Sequence, residues 1–139
     1  MKILNILTPR RKLGNAGEVQ AARYLKKNGY VILERNYVAA ESEIDIIAKK
    51  DGVLAFVEVK TRSAGISTKK EPRPASSVTP EKQRKILNAA MHYKTHTRLE
   101  AKMRFDIVEV IRDKDARGHD VFTVKHLIGT FDANTAKRH

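Results

Sequence analysis

The sequence predicts an α/β domain in which a mixed β-sheet is flanked by helices, its elements in the order helix, three strands, helix, two strands. Three observations predict it. An amphipathic stretch opens the chain, an Asp51-Gly52 turn sits between two apolar runs, and a proline-led helix separates those runs from two more strands. The hairpin must be antiparallel, whereas a strand, a helix and another strand in one sheet form a parallel crossover, so the sheet is of mixed sense.

Residues 13–28 open the domain. Leu13, Gly17, Ala21 and Leu25, flanked by Ala22 and Tyr24, recur on one helical face, and Asn28-Gly29 supplies a stop. Residues 30–38, YVILERNYV, are rich in β-branched and aromatic side chains and predict a first strand with imperfect alternation. The second and third strands flank Asp51-Gly52, a strong hairpin signal. Residues 62–79, RSAGISTKKEPRPASSVT, have no apolar period and predict a long loop, which inside a compact domain is more often functional than idle. Thr79 as N-cap, Pro80 at the first helical position and Glu81 at the positive end of the dipole start a second helix reaching about His96. It would bury Ile86, Leu87, Ala90 and either Tyr93 or Met91. MRFDIVEVI and DVFTVKHLI follow as strands around the turn RDKDARGH. The organisation expected is a basic extension over residues 1–12, one domain over 13–128, and a flexible basic tail over 129–139.

Composition narrows the function classes. At 139 residues, with 41% apolar and 32% charged residues, the chain is long enough for one core and too apolar for disorder. Its formal charge of +12 would draw a polyanion, and nucleic acid is the partner this favours. There is no cysteine, which excludes disulfides and thiolate metal sites. No apolar run has the length of a membrane span, the opening MKILNILTPRRK has too short a core for a signal peptide, and the expected location is cytoplasmic. His92 and His96 share a helical spacing but have no acid or cysteine near them, so they read as surface histidines. Tyr24, Tyr30, Tyr37 and Tyr93 form no base-stacking pattern and read as core or rim residues.

The hairpin carries the chemistry. Counting outward from Asp51-Gly52, with Lys50 against Val53, sets Ile47 against Phe56, Asp45 against Glu58 and Glu43 against Lys60, these three pairs all on one face because side chains alternate with period two. The opposite face pairs Ile44 with Val59, Ile46 with Val57 and Ala48 with Ala55, and is expected to be core. Opposed carboxylates about 5 Å apart repel by about 3 kcal/mol at an effective dielectric near 20. A Glu43–Lys60 pair returns at most about 1 kcal/mol. Folding alone does not favour Asp45 opposite Glu58; a hard divalent cation between them reverses the sign.

With Asp45 ahead of a Glu58-Val59-Lys60 run, the chain resembles the PD-(D/E)xK nuclease superfamily, which includes restriction endonucleases and Holliday-junction resolvases. More closely it resembles the small bacterial YraN-type family of uncharacterised proteins. GNAGE, AARYL, NGY, RNY, EIDIIA, FVEVKTR, TPEKQRKI and RFDIVEV carry the resemblance in that order over roughly residues 14–110. Ser42 departs from it, standing where such proteins usually have glycine.

The resemblance implies a restriction endonuclease-like fold and a Mg²⁺- or Mn²⁺-dependent nuclease acting on DNA, branched or repair intermediates included. It implies that Asp45, Glu58 and the Val59 carbonyl hold the metal, that Lys60 orients the attacking water, and that Glu43 tunes Lys60. Glu18 matches a helix glutamate that completes such sites, and equally fits a capping box with Asn15 as N-cap. Arg62, Lys69, Lys70, Arg73, Lys82, Arg84 and Lys85 would contact phosphates. A homodimer is one assembly that would complete a substrate groove. The competing class is a binding module that keeps the fold and basic surface without turnover.

Overall fold

In the computed structural model of the chain, residues 9–64 and 78–131 are described, with side chains from residue 15 onward. Helix α1 (Pro9–Lys27) leads into strands β1 (Val31–Ala39), β2 (Ser42–Lys50) and β3 (Val53–Ser63). Helix α2 (Pro80–Thr97) and strands β4 (Lys102–Lys114) and β5 (Asp120–Phe131) follow. The strands lie in sequence order in one sheet, antiparallel except where β3 runs parallel to β4 across the α2 crossover. This is the mixed sheet and element order that the restriction endonuclease-like class predicts.

Each helix covers one face. Ala21, Ala22 and Leu25 of α1 pack with Ile46, Ala48, Ala55, Val57, Val108 and Val110. Ile86, Leu87, Ala89, Ala90 and Tyr93 of α2 pack with Ile44, Ile47, Leu54, Phe56 and Phe105. Tyr93 therefore takes the core position left open between it and Met91, which is exposed. The hairpin was expected to have one core face; it has two, because a sheet sandwiched between helices buries both. Asp51 at φ 49° and Gly52 at φ 75° form the tight turn, both in the left-handed region that a primed two-residue turn requires.

Four local expectations change. Helix α1 begins at Pro9, so residues 9–12 are helical rather than an extension, and Asn15 sits inside the helix, where it cannot be an N-cap. The capping-box reading of Glu18 falls with it. Ile44 joins Ile47 on the α2 side while Val59 stays with Val57 on the α1 side, so the expected Ile44–Val59 pair is absent. Strand β5 runs on to Phe131: the Gly129 N–H donates to the Asp106 carboxylate at 3.0 Å, Thr130 donates to the Phe105 carbonyl at 3.2 Å, and Phe131 stacks on Phe105.

A buried network that sequence patterning does not reveal ties this edge to the junction between α1 and β1. Asp106 accepts two Arg104 contacts at 2.9 and 2.8 Å, and His126 Nε2 at 2.8 Å, while Arg104 also reaches the Tyr30 hydroxyl at 2.6 Å. Burial would raise the Asp106 carboxyl; the hydrogen bonds from His126, Arg104 and Gly129 outweigh it and hold the group below the usual carboxylate range.

Helix α1 packs tightly against β3 at Gly17. A Cβ there would stand 2.0 Å from Thr61 Oγ1 and 2.9 Å from Thr61 Cβ. Gly17→Ala is therefore expected to cost about 1–3 kcal/mol in urea unfolding, the usual penalty for overpacking. Adding Thr61→Ala, which removes Oγ1 and Cγ2, should recover part of that loss. Strictly additive losses would show that the two positions do not touch.

Candidate acid cluster at the open end of the hairpin

The β2–β3 register follows the count from the turn, with Lys50 beside Val53, Ile47 beside Phe56 and Ile46 beside Val57. The ladder then stops one residue short of the acids. Instead of a main-chain pair, the Val59 N–H donates to Asp45 Oδ2 at 2.7 Å. On the other side of β2, β1 pairs Tyr37 with Ile44 and Arg35 with Ile46, leaving Asn36 and Asp45 between them outside the ladder. Asn36 sits at φ 54°, a left-handed conformation that asparagine tolerates better than most residues. Alternation breaks at this point, which is how Ile44 and Ile47, three apart, come to share one core. Asp45 and Glu58 thus adjoin across an opened strand end rather than within a regular pair, and the expected Glu43–Lys60 pair lies beyond the ladder as well.

Two helices deliver further charges. Glu18 follows Gly17, the residue at which α1 touches β3, and its Oε1 is buried without a hydrogen-bond partner. Lys82 stands in the first turn of α2, its N–H held at 3.2 Å by the Thr79 side chain, which caps the helix as the sequence predicts. Its ammonium contacts Glu58 Oε1, and Glu58 Oε2 is buried and unpartnered. An open cleft runs past Glu43, Asp45, Glu58, Thr79, Lys82 and Lys85.

The electrostatics follow from burial and crowding. Burial pushes the Asp45 carboxyl up to about 7; the Val59 N–H opposes this, and Glu18, Glu58 and Glu43 add to it. Glu18 is raised chiefly by burial, opposed by Arg35 and reinforced by Glu43. Among the described residues, no three His, Cys, Asp or Glu side chains converge as a ready-made metal cage. The oxygens that are available are hard donors. The Val59 carbonyl also faces the opened edge, because N–H and C=O of one strand residue point the same way and its N–H meets Asp45.

The remaining sequence-predicted residues divide. Lys60 and Arg62 continue β3 on the Glu58 face and are half-buried, and Arg62 approaches Glu109 at 3.5 Å. Lys85 pairs with Glu81 at 3.6 Å on the exposed side of α2, and Arg84 is exposed. Lys69, Lys70 and Arg73 lie outside the described residues. His92 and His96 are exposed and stack at 5.2 Å, with the Tyr37 hydroxyl 2.8 Å from His92 Nδ1. Sequence reasoning missed Arg35, whose charge acts on Glu18, and Glu109, a buried acid next to Lys60 in the parallel ladder. The second had a visible signal, an acid at the centre of the apolar run DIVEVI.

Comparison with known proteins agrees with the extent of these motifs. The model of "Uncharacterised protein family UPF0102" matches residues 17–110, a span reaching from the α1–β3 contact through the acid cluster to β4. The chain is 42% identical to a UPF0102 protein of Desulfosudis oleivorans, covering 94% of this chain and 98% of that one. It is 38% identical to a UPF0102 protein of Myxococcus xanthus over 89% of this chain and 92% of the relative. A UPF0102 protein of Chlorobium limicola is 42% identical over 86% and 91%. With the acid cluster inside the matched span and relatives of nearly equal length, the chain belongs to the UPF0102 family.

Proposed function

We propose that this protein is a divalent-metal-dependent nuclease that hydrolyses phosphodiester bonds in DNA. The observation that carries the reading is the gathering of Glu18, Asp45 and Glu58 at an opened strand end, with two buried carboxylate oxygens lacking partners. Acids crowded this way destabilise a fold unless a cation joins them. The donor set fits Mg²⁺ or Mn²⁺, which take one or two carboxylates and leave room for water and phosphate oxygens. Asp45, Glu58 and the Val59 carbonyl would hold the ion, and the chemistry it supplies is Lewis acidity toward the phosphoryl group.

The chain's own groups divide the remaining work. Asp45 must shed its proton to bind, and the Val59 N–H favours that ionised form. Lys60 lies two residues beyond Glu58 on the same strand face, where its ammonium would orient the attacking water and offset charge accumulating on the phosphate. Lys82 would leave Glu58 for a phosphate oxygen once a cation takes its place. The +12 balance would draw the polyanion, with Lys85 lining the cleft and Arg62 and Arg84 further along β3 and α2. A second reading, a nucleic-acid-binding module without turnover, is favoured by one observation. The Lys82–Glu58 pair already neutralises part of the acid cluster without any metal.

Cleavage decides between them. Wild type should cut labelled linear, flapped or four-way DNA in Mg²⁺ or Mn²⁺, and Glu58→Ala and Lys60→Ala should each lower the rate at least about a hundredfold, the scale of losing one transition-state contact. Binding without cutting by wild type and variants alike would establish the binding module instead.

The Asp45 proton gives a second test. Its folded value of about 7 lies above the unfolded value of 3.8, so its contribution favours the metal-free fold below about pH 4 and is lost as pH rises through 7. The loss is on the order of 4 kcal/mol at most. Asp45→Asn should flatten that decline in thermal unfolding. Mg²⁺ binding should tighten about tenfold per pH unit up to 7 and then level off. Equal Mg²⁺ stabilisation of wild type and Asp45→Asn at pH 8 would remove the metal from this site.

A further inference from the structure

One buried carboxylate on the face of Glu58 and Lys60 has no part in the chemistry above. Glu109 is 7% exposed at the centre of β4. Val108 and Val110 pack on the α1 side, so Glu109 projects to the opposite face. Val57 and Val59 on β3, and Phe122 and Val124 on β5, also lie on the α1 side, which puts Glu58, Lys60, Arg62 and Lys125 on the face of Glu109. In the ladders Glu109 stands directly between Lys60 of β3 and Lys125 of β5, and Arg62 reaches its Oε1 at 3.5 Å. A carboxylate in such a strand is expensive to desolvate, and a folding rationale alone would extend the run of valine and isoleucine around it.

We infer that Glu109 is a positioning residue that holds Arg62, Lys60 and Lys125 as a cationic row across β3, β4 and β5, and that this row takes the sugar-phosphate backbone of nucleic acid leading away from Asp45 and Glu58. The inference rests on the nucleic-acid reading proposed above and adds Glu109 and Lys125 to it. Adjacent strands are about 4.8 Å apart, so the row is about 10 Å wide. A duplex strand presents about three phosphates over that rise. Three long cations at this spacing repel one another and carry large rotamer entropy; one buried acid among them lowers both costs while leaving the group net positive. Glu109 touches no reacting atom in this account and acts through its cationic neighbours.

The test is equilibrium binding of a labelled DNA duplex by the full chain, in chelator and across a salt series, for wild type, Lys125→Ala, Glu109→Gln, Glu109→Asp and Lys102→Ala. Lys102 is an exposed control at the far end of β4, about 23 Å from Glu109. Lys125→Ala should weaken binding several-fold and reduce the slope of log K against log salt by about 0.9, one phosphate contact, while Lys102→Ala leaves the slope unchanged. Glu109→Gln should also weaken binding several-fold although it makes the protein more positive, and Glu109→Asp should restore part of it. Binding by Glu109→Gln as tight as wild type or tighter overturns the positioning role, since simple loss of negative charge predicts that sign. A Lys125→Ala slope no smaller than that of Lys102→Ala overturns the row even if the Glu109 variants fail to fold. Neither readout involves metal or turnover, so a protein that binds through the row and cuts nothing loses the nuclease reading alone. A wild type that binds no duplex in chelator loses the row, and the nuclease reading then stands or falls on the cleavage assay.

Discussion

The hydrogen bond from the Val59 N–H to the Asp45 carboxylate is the constraint on which the rest of this site depends. A main-chain donor that would otherwise continue the β2–β3 ladder is given to a side chain, so the ladder ends at Ile46 and Val57. The donor stays satisfied, as a half-buried backbone N–H must be. The strand end opens, alternation breaks at Asp45, and Ile44 turns into the core beneath α2. Side-chain competition for backbone hydrogen bonds is one reason aspartate is depleted in strands, and at Asp45 that competition is won by the side chain.

Two helix placements then fill the opening with charge. Helix α1 can reach β3 closely only because residue 17 lacks a Cβ, and that approach carries Glu18 to the buried side of the acids. Helix α2 is fixed at its start by the Thr79 cap, which sets Lys82 in the first turn and within reach of Glu58. One helix brings an acid and the other a cation. The Asp106 network holds the far side of the sheet by different means, tying β4, β5 and the Tyr30 hydroxyl together with fully paired polar groups. That contrast is physical: Asp106 is lowered because its donors outweigh burial, while Asp45 is raised because one donor does not.

Much of this was legible in local sequence. The Asp51-Gly52 turn set the hairpin register, and the Thr79-Pro80-Glu81 start set α2, because both are decided by φ preferences and short-range hydrogen bonds. The mixed sheet followed from the order of elements. What was not legible depends on contacts distant in sequence. One miss did have a local signal: Thr8-Pro9 is the same Thr-Pro pair that opens α2, and the capping-box reading of Asn15 passes over it. The register count assumed an unbroken ladder, whereas the acids at its end claim the next donor for themselves. The Asp106 network joins residues from Tyr30 to Gly129, and Glu109 acquires meaning only when β3 and β5 close on either side of it.

The charge distribution bears on the nuclease reading at two ranges. Globally the chain is strongly basic, so a polyanion is drawn toward it at long range. Locally the cleft holds Glu43, Asp45 and Glu58, which repel a phosphate at close range where screening is weak. The two fields have opposite signs, and only a cation among the acids makes the near field agree with the far one. Lys82 is a partial substitute: one ammonium against Glu58 leaves Glu58 Oε2 and Glu18 Oε1 without partners and Asp45 reluctant to ionise. On this reading Asp45, Glu58 and the Val59 carbonyl would hold the ion that supplies the missing charge, Lys82 would be released toward the phosphate, and the basic residues along β3 and α2 would hold the polyanion.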